Sequence, residues 1–486
     1  MALGATLVAA VPPLEVRGNR FVNPKTGDQF QVVGVAYQPG GSAGYNPVLG
    51  FDPLSNGTNC KRDAALMQIL GVNTIRVYNL SPDLNHDECA SIFNAAGMYM
   101  MLDVNSPLVG ESLKADEPWT TYTPAYLNRS FAIVEAFKSY PNTLAFFSGN
   151  EVISEATTVK TAPPYVRAVT RDLKEYIAKN ADRPIPVGYS AADVRDVLFE
   201  SWNYFRCTNG AGDTSVADIF ALNSYSWCGA SSFQTSGYDK LVAGFTGSNV
   251  PIFYSEFGCN QPAPRIFTEI PAIYGPDMTG VFSGGIVYEY VQEANSYGLV
   301  SLNKDGSAQL LPDYNTLKAQ YAKVDFTKVQ SVKAAGAGQT PAAPRCEAKL
   351  VATRPDFNGN FTLPTLPETR ALIDNGVRPR PVGRIVSIAD YSVKATVKNV
   401  DGSVISNLAV VPLAADASNK PGTNTGSTAG AGGNPAGSAP AAPTESKNAA
   451  AAVFYRHTGQ SPADLAGLIF LIVGCVAGGG MTLIFG

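Results

Sequence analysis

Histidine is almost missing from this chain, with two in 486 residues. One of them, His457, falls in a C-terminal segment expected to be removed, which leaves His86. A histidine-rich zinc or di-iron site is thereby excluded, and a Ser-His-Asp triad has only His86 to draw on. His86 stands in Asn85-His86-Asp87-Glu88, which reads as a helix start with acidic residues in its first turn, so a capping or surface role is expected of it. Any acid or base chemistry here falls to carboxylates. There is no C-x-x-C motif, so thioredoxin-like and zinc-ribbon readings fail. Positive charge is not in excess: 36 Lys+Arg face 40 Asp+Glu, a net charge of -4. Nothing in that balance attracts a polyanion, and nucleic acid is not an expected partner. Gly40-Gly41-Ser42-Ala43-Gly44 lacks the G-x-G-x-x-G spacing, which counts against an open doubly wound sheet.

What the chain does have is most distinctive at its ends. Leu465 to Gly486 holds no charged residue, and no basic anchor follows it. A polar stretch (Arg456 to Asp464) and a small-residue run (Asn448-Ala449-Ala450-Ala451-Ala452) precede it. Small residues, spacer and apolar tail make a GPI-attachment signal over residues 453–486, with Asn448 the expected attachment residue and the outer face of the plasma membrane the expected location. Such an anchor requires the secretory pathway, and residues 1–11 read as a weak, short signal peptide. Three N-x-Ser/Thr sequons, at Asn56, Asn128 and Asn360, agree with that route. Leaving out Cys475 in the tail, six cysteines remain: Cys60, Cys89, Cys207, Cys228, Cys259 and Cys346. In an oxidising compartment they imply three disulfides, and spacing alone does not choose among the roughly 15 pairings.

Between the ends, residues 12–330 alternate short apolar runs with segments of helical period. The runs are Val32–Tyr37, Thr74–Tyr78, Tyr99–Asp103, Leu144–Asn150, Ile185–Tyr189, Ile219–Asn223, Pro251–Glu256 and Gly285–Tyr290. Amphipathic stretches lie between them, one placing Leu127, Phe131, Val134 and Phe137 on a face, another Val166, Val169, Leu173, Tyr176 and Ile177. Eight β-like runs with helical connectors predict a (β/α)8 TIM barrel. Residues 345–412 read as a small β-rich accessory module. Residues 413–452, dominated by Ala, Gly, Ser and Pro, read as a disordered stalk.

In such a barrel, side chains that do chemistry emerge at the C-terminal ends of the strands. Glu151 ends the fourth run and Glu256 the seventh. A carboxylate at the end of an apolar strand is costly to bury, so each calls for a reason. Paired carboxylates without histidine or metal suit glycoside chemistry. In its retaining form the two lie roughly 5–5.5 Å apart, one attacking the anomeric carbon while the other protonates the leaving oxygen. Glu289, on the eighth run, is a competing carboxylate. Strand alternation puts it opposite Tyr288 and Tyr290, where a structural salt bridge is expected.

The chain resembles the fungal GPI-anchored β-1,3-glucanosyltransferases of glycoside hydrolase family 72. The resemblance rests on Gly34-Val35-Ala36-Tyr37-Gln38-Pro39, Cys60-Lys61-Arg62-Asp63, Asn73-Thr74-Ile75-Arg76-Val77-Tyr78 and His86-Asp87-Glu88-Cys89. It continues through Gly149-Asn150-Glu151, Trp227-Cys228-Gly229, Tyr254-Ser255-Glu256-Phe257-Gly258-Cys259-Asn260 and Gly284-Gly285-Ile286-Val287-Tyr288-Glu289-Tyr290. With no cysteine cluster after Cys346, the chain is most similar to the branch lacking a cysteine-rich glucan-binding module.

The resemblance implies Glu151 as general acid/base and Glu256 as nucleophile, Asn150 on the sugar 2-hydroxyl, and Tyr225 bonded to Glu256. It implies Tyr37, Gln38, Tyr78, Asp103, Asn223, Tyr288 and Tyr297 along a glucan-binding cleft, where tyrosine rings stack on sugar faces. Trp227 is open between platform and core. Implied disulfides are Cys60–Cys89, Cys228–Cys259 and Cys207–Cys346. The implied activity cleaves β-1,3-glucan internally and passes the fragment to the non-reducing end of another chain, in the cell wall. Glucan is then both donor and acceptor, no cofactor or metal is expected, and a monomer is the expected state. An endo-β-1,3-glucanase is the nearest alternative, and a wall-anchored glucan-binding protein without activity the next.

Overall fold

The computed structural model describes residues 11–333, 341–377, 382–424 and 426. The chain begins with a small antiparallel sheet, β1 (Glu15–Arg17), β2 (Arg20–Val22) and β3 (Gln29–Phe30). Eight parallel strands then close a barrel: β4 (Val32–Ala36), β5 (Thr74–Val77), β6 (Tyr99–Asp103), β7 (Thr143–Asn150), β8 (Val187–Ala192), β9 (Ile219–Ser224), β10 (Ile252–Phe257) and β11 (Phe282–Val287). β11 returns to pair with β4, which completes the expected (β/α)8 barrel. These strands are buried on both faces, which is why they read as continuous apolar runs rather than alternating ones.

The last run is displaced from its expected place, ending at Val287 instead of Tyr290. Gly284 explains the earlier start. Its φ is +83°, and a Cβ there would meet the Val32 carbonyl oxygen at 2.1 Å, so only glycine lets β11 lie this close to β4. Tyr288, Glu289 and Tyr290 therefore lie beyond the strand, where alternation no longer decides direction.

Helices on the outside are set by ordinary caps. The Asn56 side chain accepts from the Asn59 N–H to open Gly57–Leu70, and Gly71 closes that helix in the left-handed region. Thr123 opens Pro124–Phe137 in the same way, with proline in the first turn. Pro163–Asn180 supplies the next long helix. A large apolar layer packs between helices and strands, while a second cluster fills the barrel near its N-terminal end. There β1–β3 plug the floor: Phe21 meets Phe253 and Phe30 meets Tyr99, edge to face.

Residues after 341 do not form a separate sheet-bearing module among those described. They run as a strap over the helices, held by Cys207–Cys346 and by Tyr204 stacked on Phe361. Among the described residues of 345–412, regular strand is confined to β14 (Val397–Lys398), which joins the hairpin of β12 (Val300–Leu302) and β13 (Ala308–Leu310). The first part of the expected stalk is ordered too. The Leu413 N–H donates to the Ala95 carbonyl, and buried Asn419 donates to the carbonyls of Gln68 and Val72. A low-complexity stretch gains its order here from carbonyls that the barrel already presents. The rest of the stalk, the GPI signal with Asn448, and residues 1–10 of the signal peptide lie outside the described residues.

All three implied disulfides are formed, Cys60–Cys89, Cys207–Cys346 and Cys228–Cys259. His86 takes the N-cap position of the helix Asp87–Ala95, as expected, but its side chain makes no capping bond and is not at the surface. It is buried, with Nε2 2.8 Å from Asp52 Oδ2 and its ring stacked on Phe137. Of the sequons, Asn56 and Asn360 are exposed, whereas the Ser130 hydroxyl needed by Asn128 is buried and donates to the Tyr126 carbonyl.

Candidate active site

The C-terminal ends of β5, β6, β7, β9 and β10 converge on one side chain that the sequence reading passed over. Arg76, on β5, is fully buried. Its guanidinium takes Asp103 bidentately (3.1 and 3.2 Å), donates to Asn150 Oδ1 (2.8 Å) and reaches Glu256 Oε1 (3.3 Å). It lies over the rings of Tyr78 and Phe147. The signal was available: an arginine inside the apolar run Asn73–Tyr78 is as costly to bury as the glutamates that drew attention. A planar fork with five donors suits this place, because it ties several acceptors in one plane.

Glu256 is the penultimate residue of β10 and is 8% exposed. Both of its oxygens accept hydrogen bonds, Oε2 from the Tyr225 hydroxyl (2.7 Å) and Oε1 from the Tyr78 hydroxyl (2.9 Å) and Arg76. Glu151, just past β7, has φ +50°, an uncommon conformation for a residue with a side chain. Its backbone N–H donates to the Ser190 carbonyl and its Oε1 accepts from Asn223 Nδ2 at 3.1 Å. Asn223 and Ser190 in turn touch Asn150, so both carboxyl groups hang from one polar network.

Burial raises the pKa of Glu151 against the pull of Asn223 and Arg76. Burial also pushes Glu256 up, opposed by Arg76, furthered by whatever charge Glu151 carries, and opposed again by the Tyr225 and Tyr78 hydrogen bonds. The donor sets separate the pair. Glu256 has both oxygens engaged as acceptors and Glu151 has one such bond, so a proton shared between them rests on Glu151. Such an arrangement supplies one ionised and one protonated carboxyl group within a single buried network.

The other residues implied by the resemblance divide into two groups. Asn150, Asn223, Tyr78 and Tyr225 sit within the network just described. The Asn150 carbonyl oxygen takes donors from Arg76, Asn223 and Ser190, which turns its amide N–H2 the other way. Gln38 Oε1 accepts the backbone N–H groups of Tyr78 and Asn79, fixing the exit of β5. Tyr288, Tyr297 and Tyr225 form a ring cluster beside Glu256, with centroids 5.3, 5.7 and 6.3 Å apart.

Three expectations are corrected. Tyr37 does not line the cleft: it is fully buried, and its hydroxyl donates to Asp63, as does that of Tyr290. Asp103 is spent on Arg76 rather than facing a ligand. Glu289 has no ion pair among the described residues; its Oε1 accepts from Asn295 Nδ2 at 2.9 Å. Trp227 belongs to the core, its Nε1 donating to Thr268 and its ring against Tyr238. Among the described residues no group of three His, Cys, Asp or Glu side chains is placed to hold a metal ion.

With that geometry in hand, known proteins place the chain. Residues 4–325 match the family model described as Glucanosyltransferase. The 1,3-beta-glucanosyltransferase gel2 of Aspergillus fumigatus is 52% identical over 426 residues, 87% of this chain and 88% of that protein. The probable 1,3-beta-glucanosyltransferase GAS3 of Saccharomyces cerevisiae is 44% identical over 81% of this chain and 78% of its own length. Among solved structures, Saccharomyces cerevisiae Gas2p in complex with laminaritetraose and laminaripentaose is similar at TM-score 0.61 and 35% identity. That match covers 70% of this chain and 73% of the Gas2p chain.

Proposed function

The chain belongs to the glucanosyltransferase family, and from that premise we propose a retaining transfer reaction carried by Glu151 and Glu256. The protein is a β-1,3-glucanosyltransferase, a transglycosylase acting on β-1,3-glucan. The observation that carries the mechanism is the donor asymmetry of two buried carboxyl groups in one network.

In the first step ionised Glu256 attacks the anomeric carbon of an internal glucose unit. The glycosidic C–O bond breaks as Glu151 gives its proton to the departing oxygen. The covalent ester on Glu256 keeps the sugar while the leaving chain departs. In the second step the 3-hydroxyl at the non-reducing end of another glucan attacks the same carbon, Glu151 takes its proton, and the ester bond breaks to restore Glu256. Arg76 holds charge complementary to Glu256 throughout, and Tyr78 and Tyr225 donate to the carboxylate form. Asn150 points its amide toward the sugar side, where a bond to the 2-hydroxyl strengthens as charge develops on the ring. Tyr225, Tyr288 and Tyr297 offer stacking faces that favour an arriving sugar over water through effective concentration.

Purified laminarin-type oligosaccharides test the reading. Products longer than the input support transfer, and only shorter products would make the protein an endo-β-1,3-glucanase. We also propose a GPI anchor at Asn448, an outer-surface and cell-wall location, and N-glycans at exposed sequons. The apolar C-terminal tail and the sequons support these, and among the described residues no helix is long and apolar enough to cross a membrane.

A further inference from the structure

The transfer reaction uses two carboxyl groups, yet a third is built into the wall of the same site. Glu289 is 3% exposed and lies behind Tyr288. Its Oε1 accepts from Asn295 Nδ2, and the same amide reaches the Tyr288 hydroxyl at 3.3 Å. Its backbone takes part as well. The Glu289 N–H donates to the Tyr297 carbonyl (3.1 Å), and the Glu289 carbonyl accepts from Leu299. The turn that carries Tyr297 is thus fastened to Glu289 at three points. Asn260 donates to the carbonyls of Asn295 and Ser296 from outside.

The charged and titratable groups around Glu289 give it no cation. Glu256 faces it from β10 and Glu293 from its own turn, and both oppose its ionisation. Tyr288 and Asn295 are its hydrogen-bond partners. Arg265, the nearby guanidinium, donates to the carbonyls of Tyr288 and Tyr297 and pairs with Asp313. Burial raises Glu289 to about 7, opposed by the Asn295 hydrogen bond, furthered by Glu293 and Glu256, and opposed again by Tyr288. A buried carboxyl group so placed keeps its proton in mildly acidic surroundings.

We propose that Glu289 is a protonated positioning residue that, through Asn295, holds the Tyr288–Tyr297 pair at the angle that receives a glucan ring, and so sets the partition between transfer and hydrolysis. This rests on the transferase reading above and deepens it. Above neutrality Glu289 becomes an anion facing Glu256 and Glu293, whose repulsion shifts the carboxylate together with the Asn295 amide that holds Tyr288, and water competes better for the ester. The ratio of transfer to hydrolysis isolates the effect, because both outcomes use Glu151 as base in the same step and its titration cancels.

The experiment compares wild type, Glu289→Gln, Glu289→Leu and Asn295→Ala on a defined laminari-oligosaccharide, with products sized between pH 5 and pH 8. At pH 5 Glu289→Gln should keep the wild-type ratio within about threefold, since a neutral isostere rescues a neutral acid. Glu289→Leu and Asn295→Ala should lower the ratio about tenfold or more. Between pH 6 and pH 8 the ratio should fall in wild type and stay flat in Glu289→Gln. The proposal is overturned if Glu289→Gln at pH 5 is as impaired as Glu289→Leu, or if both ratios run parallel with pH. An unchanged ratio in folded Asn295→Ala also overturns it, which covers the case in which Glu289→Leu does not fold. Wild type making no product longer than its substrate would instead refute the transferase reading itself.

Discussion

Removing one oxygen atom from the site gives the sharpest test of how Glu256 is kept ionised. In Tyr225→Phe the ring stays, so its contacts with Tyr288 and Tyr297 persist and substrate stacking is little altered. What goes is the 2.7 Å hydrogen bond to Glu256 Oε2, which has no other donor among the described residues. A hydrogen bond to a charged group contributes about 1.5–3 kcal/mol. At about 1.4 kcal/mol per pH unit, its loss raises the Glu256 pKa by roughly 1–2 units. The sign follows from the donor favouring the ionised form, so the acid limb of the kcat/KM profile moves to higher pH. Below the shifted limb the variant should be about 10–100-fold slower than wild type, and most of the loss should return as pH rises. KM should change little. The assay is the pH dependence of initial rates on a defined laminari-oligosaccharide. An acid limb that stays put, or moves to lower pH, while the rate falls equally at every pH would refute the argument. Tyr78→Phe removes the other hydroxyl donor and should move the limb in the same direction.

The remaining predictions concern charge, fold and modification. Glu151→Gln should lose about 10²–10⁴-fold in kcat, and Glu256→Gln should form no covalent glycosyl ester by mass spectrometry after denaturant quench. Arg76→Met leaves Asp103 buried without a partner and should cost about 3–5 kcal/mol of stability, read as the urea midpoint. Glu269 and Glu289 both have folded pKa values near 7, raised from 4.5 chiefly by burial. The folded state therefore binds more protons than the unfolded chain between those values, so stability falls as pH rises through about 7. Tm should be higher at pH 5.5 than at pH 8, and Glu289→Gln should flatten that slope. Peptide mass mapping of secreted protein should find glycan at Asn56 and Asn360 and none at Asn128, whose Ser130 hydroxyl is buried.

The barrel was legible because its strands are buried on both faces and separated by helices with clear caps. Glu151 and Glu256 were legible because ionisable groups at apolar strand ends carry a desolvation cost that demands a reason. The same cost stands at Arg76, but its acceptors Asp103, Asn150 and Glu256 are brought to it only by closure of the barrel. Tyr37 shows the opposite failure. A tyrosine just past a strand end can face the cleft or the helix layer, and its partner Asp63 lies on a helix 26 residues away. No local pattern decides between them. Glu289 was misjudged because the close approach of β11 to β4 at Gly284 ends the strand early and cancels its alternation. The strap after residue 341 has no period to read. Its order comes from contacts such as Asn419 with Gln68 and Val72, which exist only once the barrel has formed.

The strap also ties together two turns at the pole of the barrel away from the reacting groups. Its last seated residues lie against Gly71 and Gly97, turns that precede β5 and β6 at the floor of the barrel. The reacting carboxyl groups open at the opposite pole. The two ends of the barrel are thereby divided, one holding the chain together and the other doing its chemistry.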